Sequence, residues 1–212
     1  SFVVTNFAVV PTNTSTIADG WASLSEALKG GFKPGLTRTG ISGPDLNIRY
    51  TRVPRVPDWQ LRKLMGFEVA EVGGTSGSEV ASDFNVLPEL PEIEGEDVVL
   101  LAMAKESMLE DHEDGVKDSG GSLDACTPNA IALYNAWLRF GVLMDDTVLV
   151  ANIGHENIDV IIARGHDLLF ARSLGGGSEL FDEAIASRLG LSASKAEQVK
   201  IRHVDLDPDA RY

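Results

Sequence analysis

Apolar residues recur along the chain with two spacings, one near two and one near 3.6, which predicts a mixed α/β fold. Phe2 to Val10 is apolar, β-branched and closed by Pro11, so it predicts a strand. Thr16-Ile17-Ala18-Asp19 has the character of a capping box, and Ile17, Trp21, Leu24 and Leu28 behind it share a helical face ending at Gly30-Gly31. The glycine- and proline-marked stretch Gly35 to Pro44 reads as a connection into a strand over Leu46 to Val53. Asp58 is expected to cap the clearest helix, whose apolar face is Leu61, Leu64, Met65, Val69 and Val72 and whose flexible end is Gly73 to Ser78.

Two strands are predicted next, near Phe84 to Leu87 and Asp97 to Ala104, then a helix from about Glu106 to Lys117 and a strand near Ser122 to Cys126. Thr127-Pro128 reads as an N-cap followed by proline at the first helical position. Ile131, Tyr134, Trp137 and Leu138 share the face of the helix it opens. The last third predicts a meander of Thr147 to Asn152, Ile158 to Ala163 and Leu168 to Leu174, joined by turns containing Gly154 and Gly165. Gly175-Gly176-Gly177 leads into a helix with Leu180, Phe181, Ala184, Ile185 and Leu189 inward, and a short helix from Ser192 follows.

Composition narrows the function. The 212 residues carry 18 Lys and Arg against 32 Asp and Glu, a net charge of −14. Nucleic-acid binding rests on neutralising phosphates with cations, so this balance opposes it. An anionic membrane surface would repel the same charge. With 43% hydrophobic residues the chain can bury a sizeable core. The longest apolar run, Val98 to Ala104, is far short of the ~20 residues that span a bilayer. The lone Cys126 excludes an internal disulfide and fits a reducing compartment. The start shows no signal peptide, and a cytoplasmic protein is expected. The missing initiator Met and the polar ending His203 to Tyr212 read as a piece of a longer protein.

The candidate chemistry is sparse. His112, His155, His166 and His203 are too scattered, from each other and from Cys126, to form a metal site, and are expected at the surface. Gly35 to Ser42 has the glycines of a P-loop but puts Ile41 where its Lys belongs. No catalytic or metal residue is assigned. What remains is a hairpin around Gly154 followed by a triple glycine at a helix N-terminus. Turn amides and the positive helix end can face an anion, which makes a phosphate cradle. The competing reading is a plain hairpin, with Gly154 there for positive φ and the other glycines for close packing.

The hairpin, Asn152-Ile153-Gly154-His155-Glu156-Asn157-Ile158-Asp159, resembles the second phosphate motif of the actin-like ATPase superfamily. Gly176-Gly177-Ser178-Glu179-Leu180-Phe181 is similar to that superfamily's Gly-Gly helix entry, and Ala196-Glu197-Gln198-Val199-Lys200 to the ending of its type IV pilus branch. Upstream, Phe7-Ala8-Val9-Val10-Pro11, the segment from Ile48 to Val72 and the segment from Val98 to Trp137 resemble the PilM family in the same order.

The resemblance implies an actin-like (ribonuclease H-like) α/β domain carrying an inserted smaller α+β subdomain. Residues 1–45 would be part of the first actin-like subdomain, 46–140 the insertion and 141–212 a truncated second subdomain. The implied nucleotide-binding residues are Asn152, Gly154, Asn157, Asp159, Gly176 and Gly177. Asn152 replaces the family's acidic residue and so loses a charge for Mg²⁺. ATP and Mg²⁺ belong to the full-length protein by resemblance, and none is expected in this piece. The implied role is a cytoplasmic scaffold of the type IV pilus or type II secretion platform, at the inner membrane through the cytoplasmic tail of a PilN-like partner. Trp59, Leu61, Leu64 and Met65 are the candidate partner-binding residues. Self-association is left open, and neither nucleic acid nor membrane insertion is expected. The alternative is an ATP-hydrolysing cell-division protein of the FtsA type.

Overall fold

The computed structural model describes residues 4–10, 16–28, 34–77, 79–89, 93–143 and 145–203. Its elements are α1 (Ile17–Leu28), β1 (Leu36–Ile41), β2 (Leu46–Pro54), α2 (Asp58–Ser76), β3 (Val80–Val86), β4 (Glu96–Lys105), α3 (Glu106–Asp118), β5 (Ser122–Pro128), α4 (Asn129–Phe140), β6 (Thr147–Ile153), β7 (Asn157–Arg164), β8 (Asp167–Gly175), α5 (Glu179–Leu189) and α6 (Ala193–His203). The strands form three sheets: parallel β1–β5, antiparallel β2–β4–β3, and the antiparallel meander β6–β7–β8.

Within the 46–140 segment, β2, β4, β3 and α2 make an α+β unit. Strand β4 is its middle strand and is buried on both faces, which is why Val98 to Ala104 reads as a continuous apolar run. Val99, Leu101 and Met103 pack with Leu61 and Met65 of α2. Leu100 faces the other way, into a core shared with Ala130 of α4 and with Ile161, Ala163, Leu168 and Ala171 of the meander. Tyr50 of β2 fastens this junction. Its hydroxyl donates to the Ala171 carbonyl (3.0 Å) and accepts from the Ala171 N–H, and its ring stacks on Phe170. Burial pushes the Tyr50 pKa up to about 12, so the hydroxyl stays a donor at any physiological pH. Tyr134 of α4 adds a second tie, donating to the His166 carbonyl at 2.5 Å.

Several sequence expectations change. Residues 4–10 carry no regular structure, and Phe7 is 86% exposed. An apolar β-branched run becomes a strand only where a neighbouring strand takes its hydrogen bonds, and no described strand lies alongside. The stretch from Gly35 to Pro44, read as a connection, contains β1, whose Thr39 and Ile41 are buried against β5. Helix α2 runs through Gly73 and ends at Gly77, whose φ of 64° supplies the left-handed cap. Pro57, not Asp58, is its N-cap. Likewise Thr127 and Pro128 belong to β5, and α4 starts at Asn129. In α5, Leu180, Phe181 and Leu189 are exposed and Asp182 is the buried residue, the reverse of the expected face.

Thr16 caps α1 as expected, its hydroxyl accepting from the Asp19 N–H at 3.2 Å and donating to the Asp19 carboxylate at 2.6 Å. Helix α1 then packs on α3 through Trp21, which donates from Nε1 to Nδ1 of His112 at 3.1 Å. His112 is therefore half-buried rather than a solvated surface residue. Desolvation holds its pKa below the usual histidine value, opposed by the charge of Asp111. A proton on Nδ1 would also remove the acceptor Trp21 uses. The folded pKa lies below the unfolded one, so the stabilisation is complete above the unfolded value of about 6.5 and is lost as pH falls through the folded pKa. The melting temperature should fall between pH 7 and pH 5. His112→Asn, which keeps an acceptor but cannot titrate, should flatten that slope.

Candidate functional site

Two features of the fold are candidates. The first is the glycine hairpin. The β6–β7 turn closes with the Gly154 N–H on the Asn157 carbonyl at 2.9 Å. The chain leaving β8 folds back onto this turn: the Ser178 N–H reaches the Gly154 carbonyl (2.8 Å), the Glu179 N–H the His155 carbonyl (3.1 Å) and the Gly176 N–H the Glu156 carbonyl (2.8 Å). Three carbonyls of the turn therefore take amides at the start of α5 that a phosphate would need. Glu179 and Asp182 place two carboxylates in the same first turn.

The glycines of this unit differ in what requires them. Gly154 does not have positive φ, but a Cβ there would meet the Asn157 carbonyl oxygen at 2.9 Å. Gly176 has φ of 86°. A Cβ on Gly177 would lie 2.3 Å from the His155 oxygen and 2.5 Å from that of Gly154. The packing need accounts for Gly154 and Gly177 without a ligand. Asn152 is exposed and stands in register with Asp159, which is buried and receives the Ser173 hydroxyl at 2.5 Å. That bond orients the carboxylate toward Ser173 of β8. The residues present thus offer phosphates few free donors and no acidic group at position 152 for a metal. Among the described residues no cluster of His, Cys, Asp and Glu could hold a metal ion.

Behind the glycines lies a pair the sequence reading missed. Lys200 of α6 donates from Nζ to Asp182 Oδ2 at 2.6 Å and to the Ser178 carbonyl at 3.3 Å, pinning α6 to the start of α5. Both side chains are largely buried, and Asp182 Oδ1 has no hydrogen-bond partner among the described residues.

The second feature is a cleft of about 1240 Å³ on the face of the β2–β4–β3 sheet opposite α2, closed on its other side by α3, β5 and α4. Leu87, Leu100, Leu109, Leu123 and Ile131 are among its apolar residues. Strands β3 and β5, each at the edge of its sheet, contribute Ala81 to Val86 and Leu123 to Pro128 to its lining. Of the four partner-binding candidates, Leu61 and Met65 are core residues at 5% and 2% exposure, and Leu64 is half-buried beside them. Trp59 alone faces solvent, 64% exposed with Lys63 over its ring. A regular 3.6-residue stripe finds a core face. It carries no information about a cleft whose lining comes from eight separate elements.

A chain of the PilM–PilN type IV pilus biogenesis complex superposes with a TM-score of 0.71 at 22% identity, over 92% of this chain and 59% of that one. The two chains share one fold. This chain therefore spans about three fifths of the length of that PilM–PilN chain. Looser matches are the cytoplasmic domain of EpsL, an inner-membrane component of the Vibrio cholerae type II secretion system (TM-score 0.40, 15% identity, 81% of this chain and 63% of that one), and a Bacteroides thetaiotaomicron protein with an actin-like ATPase fold and unknown function (TM-score 0.38, 12% identity, the same two coverages). No family model and no curated protein matches the chain. Among the described residues no helix is long and apolar enough to cross a membrane.

Proposed function

We propose that this chain is the partner-binding part of a cytoplasmic scaffold in a type IV pilus or type II secretion platform, held at the inner membrane by the cytoplasmic tail of a PilN-like protein. The observation that carries the proposal is the apolar cleft between the β2–β4–β3 sheet and β5, set in a fold shared with a chain of the PilM–PilN complex. An extended tail can lay apolar side chains in such a groove and pair its backbone with an open strand edge. The nucleotide site is degenerate in this reading. Support comes from Asn152, which lacks a carboxylate for Mg²⁺, and from the amides of Ser178 and Glu179, already bonded to the turn. No catalytic step is assigned.

The test is a titration of the chain with two probes, a platform protein's cytoplasmic tail peptide and Mg-ATP at low salt. The tail should bind, and Leu123→Asp inside the cleft should abolish binding while the melting curve stays cooperative. Calorimetry should detect no Mg-ATP binding and phosphate release should stay at background. A low-micromolar dissociation constant for Mg-ATP that is lost in Gly154→Val would replace this reading with the nucleotide-hydrolysing one.

A further inference from the structure

The cleft residues are unequal in charge. Asp83, Glu106, Glu110, Glu113 and Asp124 line it, and among the described residues no Lys or Arg does. Two of these carboxylates are compensated from outside the lining, Asp124 by Arg38 at 2.6 Å and Glu113 by Lys117 at 2.7 Å. Asp83, Glu106 and Glu110 take part in no ion pair among the described residues. They stand beside an apolar floor that includes Ile41, Leu87, Leu100 and Ile131. Strand β3 and helix α3 thus put unpaired negative charge on two sides of one hydrophobic groove.

We infer that the cleft selects a cationic, aliphatic peptide segment, its Leu- or Ile-type side chains on the floor and its Lys or Arg side chains toward Asp83, Glu106 and Glu110. The inference rests on the partner-binding reading above and adds the chemistry of the partner. Complementary charge at a groove rim speeds encounter and rejects like-charged competitors more than it adds raw affinity. An acidic segment with the same apolar side chains would bring its charges against three uncompensated carboxylates, on a chain whose net charge is −14.

The experiment uses fluorescent synthetic peptides of alternating Leu and Lys, alternating Leu and Glu, and alternating Ser and Lys, titrated by anisotropy against the full chain. Only the Leu/Lys peptide should bind. Neutralising Asp83 and Glu110 together (Asp83→Asn, Glu110→Gln) should weaken it about three- to tenfold at low salt, and much less at high salt. Neutralising two exposed carboxylates far from the cleft, Glu183→Gln with Glu197→Gln, should change it less than twofold. Equal loss in the two double variants would mean that only net charge matters, and binding of the Leu/Glu peptide would mean that the rim does not select; either result overturns the inference. Should the first double variant fail to fold, Glu110→Gln alone at its exposed helical position carries the same comparison. A platform tail that binds but ignores the cleft charges sinks this inference and leaves the proposed function standing. A tail that does not bind while the Leu/Lys peptide does, with the expected charge sensitivity, sinks the proposed function and leaves this inference intact.

Discussion

Lys200→Met should cost this chain about 3 kcal/mol of stability, at the low end of the ~3–5 kcal/mol for removing one partner of a buried ion pair. The low end applies because the Lys200 side chain keeps 17% of its surface exposed, against 9% for Asp182. Removing the ammonium would strand the Asp182 carboxylate, whose Oδ1 already lacks a partner and whose Oδ2 would lose its 2.6 Å bond. The Ser178 carbonyl would lose its contact with Nζ as well. The double variant Asp182→Leu/Lys200→Met should recover most of the loss, because two apolar side chains leave no stranded charge. Urea denaturation of the two variants measures both effects, and hydrogen exchange should place the damage in α5 and α6. A single variant within about 1 kcal/mol of the parent, the usual ceiling for an exposed pair, would mean that Asp182 is hydrated in solution.

This pair also explains why part of the sequence reading failed. The spacing of Leu180, Phe181, Ala184, Ile185 and Leu189 correctly announces a helix, and their apolarity suggests which face turns inward. Rotation about the helix axis is decided by tertiary partners, here Lys200 on Asp182 and the packing of α5 on α6, where Ala196 is buried. Periodicity works where the partner surface is itself apolar and extended. Helix α2 is the example: Leu61 and Met65 meet Val99, Leu101 and Met103 of β4. The meander was legible for a related reason, since its strands are neighbours in sequence and need only short turns. Strand β1 was hidden because its partner is β5, far along the chain, and because Gly35, Gly40 and Pro44 mimic a loop.

The site was legible to different depths. The glycines of the hairpin and of the α5 entry stood out as a unit, and the structure does bring them together. That the turn would present its carbonyls to the α5 amides lies below the resolution of a motif, because the motif records residue types and not hydrogen-bond direction. The cleft had no local signal. Its walls come from residues as distant in sequence as Ile41 and Leu168.

The three consecutive glycines before α5 should respond to alanine in a fixed order, and the order tests what they are for. At Gly175 an added Cβ meets nothing within 4 Å, and φ is not positive, so Gly175→Ala should be nearly neutral. At Gly176, φ of 86° places an L-residue in the left-handed region, and the Cβ also approaches Leu180 Cδ1 at 2.7 Å. Leucine can swing aside, so the backbone dominates and the cost should be about 1–2 kcal/mol. At Gly177 the Cβ would strike two carbonyl oxygens, at 2.3 and 2.5 Å, that belong to backbone and cannot rotate away. Those oxygens accept from Ser178 and Glu179, so relieving the clash stretches both bonds. Overpacking of about 1–3 kcal/mol and two weakened hydrogen bonds of roughly 0.5–1.5 kcal/mol each put Gly177→Ala at about 3 kcal/mol or more. Denaturation midpoints of the three variants give the ranking directly. A Gly177→Ala chain as stable as Gly175→Ala would show that the α5 entry stands off from the hairpin, with the amides of Ser178 and Glu179 free to receive an anion after all.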